Sequence, residues 1–458
     1  MRILLVDAFD LQRIVSLPAS LGLGQIEAHM LSLGHNILTI NGMRYGKALI
    51  DKVVEFKPEI VGISCVTDSR KYSFGVAKRI KEKFHDIPIV FGGVHPILFY
   101  EKLIKRDYID GIVDGEGEKA FEVIVETYKK DGSLKSIDSN LPIVTKNNFT
   151  TYNRMKVKPL LLEESKIGFV RHHRISKCQQ SGKRAGKILT SWGCPFKCIF
   201  CASGSHLRTQ YRKKTLDVLM EELEYLASMD AKMVHVVDDL FFIDLDRAKE
   251  LLRKIRKRKF AFQFIVKSRV DMVDYELFQL FDDIGVRLCS VGVESGSERL
   301  LKIMRKGIAR DEIIAAFEMA ARRKFQMAAN LIVGIPGETE EDYRLTNELI
   351  REIRADSLAV SLNRVYPNTQ VYNICLEEGY MCEEYFDDDD NVSPFYSFER
   401  DINELKETAI KMYMKWFINT PFSNKIKNLQ AIILTHGFRK IMSLMRDWLI
   451  RLTIVSKS

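Results

Sequence analysis

Two long stretches of this chain alternate short apolar runs with amphipathic segments, and that alternation leaves few folds open. In the first, apolar runs fall at 2–6, 37–40, 60–66 and 87–91, with a last one inside DGIVDGEGE. Helical patterns separate them, among them KALIDKVVEFKP, SRKYSFGVAKRIKEKFHD and the shorter EKLIKRDY, and another helix follows from residue 118. Runs this short and uniformly apolar suit strands covered by helices on both faces. Residues 1–130 are therefore predicted to form an α/β, doubly wound parallel sheet. The second stretch places strands at 186–190 and 233–237, in FAFQFIVKS, up to Glu294, in MAANLIVG and near 358–364. Its repeated strand–helix units predict a partial (β/α)6 barrel over 186–380. Residues 131–185 read as an irregular linker, and 381–458 as a helical C-terminal domain that caps the barrel's open side.

Both architectures put ligands at the carboxyl ends of their strands. In the first domain those ends carry Ser64, Val66 and Thr67, then Gly92, Gly93, Val94 and His95, then Gly115, Glu116 and Gly117. Glycines there let a flat ligand approach the backbone. A dinucleotide is a poor candidate, because no GxGxxG follows the first strand.

The barrel's first strand runs into SWGCPFKCIFCASG, with Cys194, Cys198 and Cys201 close together and the other five cysteines scattered singly. Three is an odd number for disulfides, and no apolar signal segment precedes MRILLVDAFD, so a reducing cytoplasm is expected. A structural zinc takes four ligands, and His206 could complete one. Three thiolates on a [4Fe–4S] cube would instead leave one iron open for a small molecule.

The spacing CxxxCxxC, with Phe200 before the last cysteine, resembles the signature of radical S-adenosylmethionine (SAM) enzymes. PEIVGIS, PIVFGGVHP and DGIVDGEGE resemble the cobalamin-binding domain joined to some of them. Together they are similar to the class B radical SAM methyltransferases and to the anaerobic magnesium-protoporphyrin ester cyclases. The resemblance implies three cofactors: a [4Fe–4S] cluster on Cys194, Cys198 and Cys201, SAM on its open iron, and cobalamin in the first domain. It implies SAM contacts from Asp239, Arg269 and Glu294, and from the turn containing Gly334 and Pro336. Tyr366-Pro367-Asn368-Thr369 resembles a YPGT turn with asparagine in the glycine position, which tolerates the same left-handed backbone. The first loop, Asp7-Ala8-Phe9-Asp10-Leu11-Gln12, lacks the histidine of the DxHxxG motif, so no cobalt ligand is expected there; His95 is an available imidazole whose place also reads as a turn. The implied reaction is methyl transfer from SAM through cobalamin to an unactivated carbon of a small molecule or lipid, with no general base assigned. Cyclisation or rearrangement is the alternative. An external electron donor such as a flavodoxin or ferredoxin is implied as partner.

The remaining features bound the partners. Net charge is +9, with 29% charged and 46% hydrophobic residues, ordinary for a globular protein. No zinc-finger or RRM-like pattern occurs, so nucleic acid is not expected. Arg171-His172-His173-Arg174 with Lys177 reads as a solvated stretch or a phosphate contact. Asp387 to Asp390 read as a solvated acidic loop. From Lys411 onward nine Lys or Arg face one acid, Asp447, so the C-terminal helices are candidates either for the cap or for peripheral contact with an anionic membrane.

Overall fold

The computed structural model describes residues 1–7, 20–41, 47–170, 176–177, 184–205 and 211–420. The Asp10–Gln12 loop, the 171–174 cluster, Cys178, His206 and the basic segment beyond 420 lie outside the described residues, and so do the side chains of 176–177.

The first sheet contains β1 (Arg2–Asp7), β2 (Asn36–Asn41), β3 (Ile60–Ser64), β4 (Ile89–Gly92), β5 (Gly111–Val113) and β6 (Ile143–Thr145), in the order β2-β1-β3-β4-β5-β6. All pairs are parallel except β5 with β6. The order reverses between β1 and β3, which places a crevice outside their carboxyl ends. Apolar residues fill both sides of the sheet, around Leu4 and Ile63 on one face and Ile3 and Leu5 on the other, as the uninterrupted apolar runs require.

Two expectations for this region need correction. The stretch after residue 130 is not all irregular: β6 adds an antiparallel edge, and beyond it Tyr152 and Arg154 both donate to the Asp114 carboxylate (2.5 and 2.6 Å). The sheet therefore extends past the expected boundary. The helix after β4 spans Val94–Leu103 rather than starting at Glu101. Gly93, at φ +98°, makes the break, and Pro96 sits in the first turn, where its missing N–H costs no hydrogen bond.

The second sheet runs from β7 (Ser176–Lys177) through β8 (Arg184–Ile188), β11 (Met233–Val236), β12 (Gln263–Ser268), β13 (Val286–Glu294) and β14 (Gln326–Val333) to β15 (Ser357–Leu362). A short antiparallel ribbon, β9 (Ser191–Trp192) with β10 (Arg212–Lys213), stands between β8 and β11 in the chain. The six strands β8 and β11 to β15 are parallel neighbours, forming the predicted partial barrel. Val234, Phe264, Val266, Val291 and Leu331 pack outward under the helices.

After the barrel, two further expectations change. Helix Ile402–Asn419 packs Met412 and Trp416 into the barrel's hydrophobic core, and Trp416 Nε1 donates to the Ala355 carbonyl at 2.9 Å. It thus lies alongside β15, not across the open side. The acidic run is partly exposed, but it is paired rather than free in solvent. Asp387 pairs with Lys102 at 2.8 Å, Asp389 with Arg106 at 2.9 Å, and Asp390 with Lys71, while Arg70 donates to the Asp388 carbonyl at 2.5 Å. The first domain carries these basic residues on the side that faces the run, so the run clasps the two domains together.

Candidate functional site

The carboxyl edges of the two sheets face one cavity of about 630 Å³. From the first sheet it is lined by Ser64, Val66, Gly92, Gly93, Val94, Gly115, Glu116 and Gly117, and from the barrel by Lys187, Trp192, Ser203 and Asp239. The glycines serve different purposes. A Cβ on Gly115 would meet nothing within 4 Å, so that wall is open for a ligand, and its φ of +144° requires glycine. A Cβ on Gly93 would stand 2.6 Å from the Cys65 carbonyl oxygen, and one on Gly117 2.6 Å from Ile26. These two are glycine because chain segments pass close by. A wide crevice with glycine at its rim fits a flat macrocycle.

Thr67 and His95 do not line this cavity. Thr67 is buried in a single 3-10 turn, where its carbonyl accepts from Arg70. His95 is the second residue of its helix and points away from the crevice. Its ring is 1% exposed, between Phe99 (4.7 Å) and Phe74 (6.0 Å). Burial, reinforced by Arg70 and Arg106, pushes its pKa well down and keeps it neutral. It faces a separate small recess beside Lys102, Arg106 and Phe386, so the imidazole is not presented to a ligand at the carboxyl edge.

Asp7, at the end of β1, does line the cavity. Burial raises its pKa to about 7, against a hydrogen bond from the Ser20 amide.

In the barrel the three cysteines form one loop. All three are free and partly exposed, whereas Cys65, Cys289 and Cys375 are buried. The loop is tied at several points. Asp239 accepts from the Gly193 amide (3.1 Å) and from Ser203 Oγ (2.8 Å), bracing both ends. The Ile199 amide donates to Met304 O, and its carbonyl accepts from the Val371 amide. Its side chain packs with Leu300, Met304 and Ile335. Asp238, by contrast, is enclosed: its carboxylate accepts from the Thr190 amide and from the Thr190 and Ser191 hydroxyls, so it is structural.

Arg269 is buried, and its Nε and Nη2 donate to Asp271 (2.9 and 3.0 Å), with Nη2 also reaching Lys306 O (2.8 Å). Its guanidinium lies 3.7 Å from the Phe196 ring centroid, stacked on the cysteine loop. Glu294 ends β13 at φ +64° and accepts from Lys306 Nζ at 2.7 Å. A Cβ on Gly292 would stand 2.3 Å from Glu294 Oε1 and 2.6 Å from Lys306 Nζ, so a side chain there would displace the ends of this pair. Gly334 and Pro336 are buried in a turn, held by Glu338, whose Oε2 accepts from the Gly334 amide, the Ile335 amide and the Tyr343 hydroxyl. That turn supports the cysteine loop through Ile335.

The donor set fits a cube. Cys194, Cys198 and Cys201 are free thiols on one loop, each available to hold a different iron. Burial raises the Cys198 thiol, and the positive charges of Lys306 and Arg269 oppose that shift. They would offset the charge of a thiolate-bound cluster. Lys306, Lys187, Tyr152 and Arg154 were not foreseen. Lys306 lies twelve residues beyond its partner Glu294 in a helix-ending turn, and nothing local marks it.

The comparisons agree with this geometry. The family model of the Radical SAM superfamily matches residues 188–350, and that of the B12 binding domain matches residues 14–125. An uncharacterised methyltransferase of Pyrococcus horikoshii is 26% identical over 93% of both chains. The anaerobic magnesium-protoporphyrin IX monomethyl ester cyclase of Rubrivivax gelatinosus is 23% identical over 81% of this chain and 68% of its own. Among solved structures, the radical SAM methyltransferase TsrM from Kitasatospora setae, with cobalamin and a [4Fe-4S] cluster bound, superposes with TM-score 0.67 at 20% identity, covering 82% of this chain and 78% of that one.

Proposed function

Since the chain belongs to the radical SAM enzymes that carry a B12-binding domain, we propose that it transfers a methyl group from SAM to an unactivated carbon of a small molecule or lipid. The observation that carries this reading is the single cavity shared by the glycine-rimmed crevice of one domain and the cysteine-loop side of the other. When bound, the cluster supplies the electron that cleaves SAM, and the corrin supplies methyl transfer.

This chain's residues orient and enclose. Cys194, Cys198 and Cys201 hold the cluster. Asp239 and the Arg269–Phe196 stack fix their loop, and Glu294 with Lys306 lies beside it. Gly92 and Gly115 leave room for the corrin, and Ser64 and Val66 supply its floor. No cobalt ligand comes from His95. Asp239, Arg269, Glu294 and the Gly334–Pro336 turn remain our assignment for the SAM side of the cavity. Hydrogen abstraction from carbon needs no general base, so none is assigned. We further assign an external one-electron donor such as a flavodoxin or ferredoxin and a cytoplasmic location. Among the described residues no helix is long and apolar enough to cross a membrane.

The test uses protein reconstituted anaerobically with iron, sulfide and cobalamin, supplied with trideuteromethyl SAM, a reductant and a small-molecule extract from cells lacking the protein. The expected product carries the intact trideuteromethyl group on carbon, with 5′-deoxyadenosine formed alongside. A product with a new ring and no label would overturn methylation in favour of cyclisation, the activity named for the Rubrivivax relative.

A further inference from the structure

Three basic side chains stand on the concave face of the barrel without a carboxylate partner among the described residues. Lys187 on β8 and His235 on β11 are register partners, and His235 pairs in register with Ile265 on β12. Lys267 stands two residues further along β12, on the same face, in register with Ser290 of β13. The alternate residues of these strands, Ile188, Val234, Val236, Phe264 and Val266, belong to the core on the other side. Strand alternation therefore turns Lys187, His235 and Lys267 inward.

Lys187 lines the shared cavity. Among the described residues no carboxylate pairs with Lys187, Lys267 or His235. His235 Nε2 is buried without a hydrogen-bond partner. Burial and the charge of Lys267 push the Lys187 amine down to about 8, and the same two lysines, after burial, push the His235 pKa down. Lys187 is half-enclosed and repelled by the more exposed Lys267, an arrangement that is costly unless something negative joins the two ammonium groups. Elsewhere the protein pairs its buried amines: Lys214 with Glu222 at 2.7 Å, and Lys306 with Glu294. The exception lies in the cavity that receives the substrate.

We propose that the substrate carries an anionic group, a carboxylate or a phosphoryl group, that binds between Lys187 and Lys267 inside the barrel, with His235 Nε2 as a further polar contact. This rests on the methyltransferase reading above and adds the class of molecule it acts on. Anchoring a charged end in the barrel would hold the rest of the molecule toward the crevice, giving orientation without any contact to the reacting carbon.

The test is site-resolved amine labelling of the reconstituted holoenzyme with an N-hydroxysuccinimide acetate, read by mass spectrometry, in millimolar inorganic phosphate, millimolar propionate, or sodium chloride of matched ionic strength. Lys187 is expected to be acetylated readily near neutral pH. Phosphate or propionate should slow this several-fold where chloride does not, and the more effective of the two reports which anion the site prefers. Lys267→Met should abolish the protection while retaining the cluster absorbance that shows it folds. Equal rates in all three salts would overturn the proposal. So would protection of Lys187 by SAM alone, which would assign the lysines to the cofactor's carboxylate. Cluster absorbance and 5′-deoxyadenosine formation are measured on the same preparation. Their failure would count against the enzymatic reading, whereas the labelling result speaks only to the anion site.

Discussion

Neutralising the acidic strap should loosen the two domains. The perturbation is Asp387→Asn, Asp389→Asn and Asp390→Asn together. Asp387–Lys102 and Asp390–Lys71 are exposed, with every partner 41% or more accessible, so each contributes about 0.2–1 kcal/mol. Asp389 grips Arg106 through two hydrogen bonds of 2.9 and 3.0 Å, both side chains being less than 30% exposed. Arg106 also lies 4.4 Å from the Phe74 ring centroid. A bidentate, half-enclosed pair of this kind contributes about 1–2 kcal/mol. The sum, about 1.4–4 kcal/mol, corresponds to a docking equilibrium weakened roughly ten- to several-hundred-fold. Hydrogen exchange reads this directly. Amides of helix Val94–Leu103 and of segment 383–393 should exchange faster in the triple variant than in the parent. Raising salt from about 0.1 to 1 M, which shortens the Debye length from about 10 to about 3 Å, should move the parent toward the variant and leave the variant little changed. Unchanged exchange in that helix, or an equal salt response in both proteins, would refute the reasoning.

Two further outcomes follow from single residues. Burial raises the Glu338 pKa from 4.5 to about 7, so the folded state holds a proton that the unfolded chain has released; stability from this group is greatest below 4.5, falls by roughly 3 kcal/mol as pH rises to about 7, and is flat above that. Glu338→Gln should remove that slope from urea midpoints plotted against pH, and an unaltered slope would count against it. Gly93→Ala places a Cβ 2.6 Å from the Cys65 carbonyl at φ +98°; a loss of more than about 2 kcal/mol in urea unfolding and weaker cobalamin retention are expected, and retention equal to the parent's would sink the assignment.

The strands were legible from short apolar runs, uninterrupted in β1, β3 and β4, which are buried on both faces, and broken by polar residues of the concave face in β8 and β11 to β15; each stands within a residue or two of where its run falls. Asn368 was legible too: it sits at φ +63°, as its replacement of a turn glycine implied. The misreadings share one cause, partners remote in sequence. Strand β6 is three residues among polar ones and exists because β5 offers it an edge. Asp387 to Asp390 look solvated until Lys71, Lys102 and Arg106 are brought up from 283 to 319 residues away. His95 was read with its glycine neighbours as crevice lining, but residue 94 already begins a helix, and a helix turns its second side chain away from its first. At the cysteine loop the strand-end positions of Arg269 and Glu294 were recoverable, whereas the Phe196 stack and the Lys306 ion pair depend on tertiary packing.

The placement of strap and cavity on opposite sides of one helix bears on the chemistry. Val94 and Ile97 of helix Val94–Leu103 line the cavity, while Phe99 packs on Phe386 and Lys102 pairs with Asp387 on the other side. Pulling on the strap therefore pulls on a wall of the site. A second contact closes the cavity from the barrel. Arg212 is buried 5.7 Å from the Trp192 ring centroid and donates to Leu162 O at 2.9 Å, with Glu116 of the first domain 3.9 Å away. Each sheet alone offers only an open edge. Pressed together, the two edges make a chamber from which water can be excluded, and a carbon radical needs such a chamber to meet its methyl donor before it meets anything else. The interface charges thus act on the reaction through enclosure rather than contact. A strap variant should still cleave SAM at the cysteine loop, yet yield less methylated product per deoxyadenosine formed.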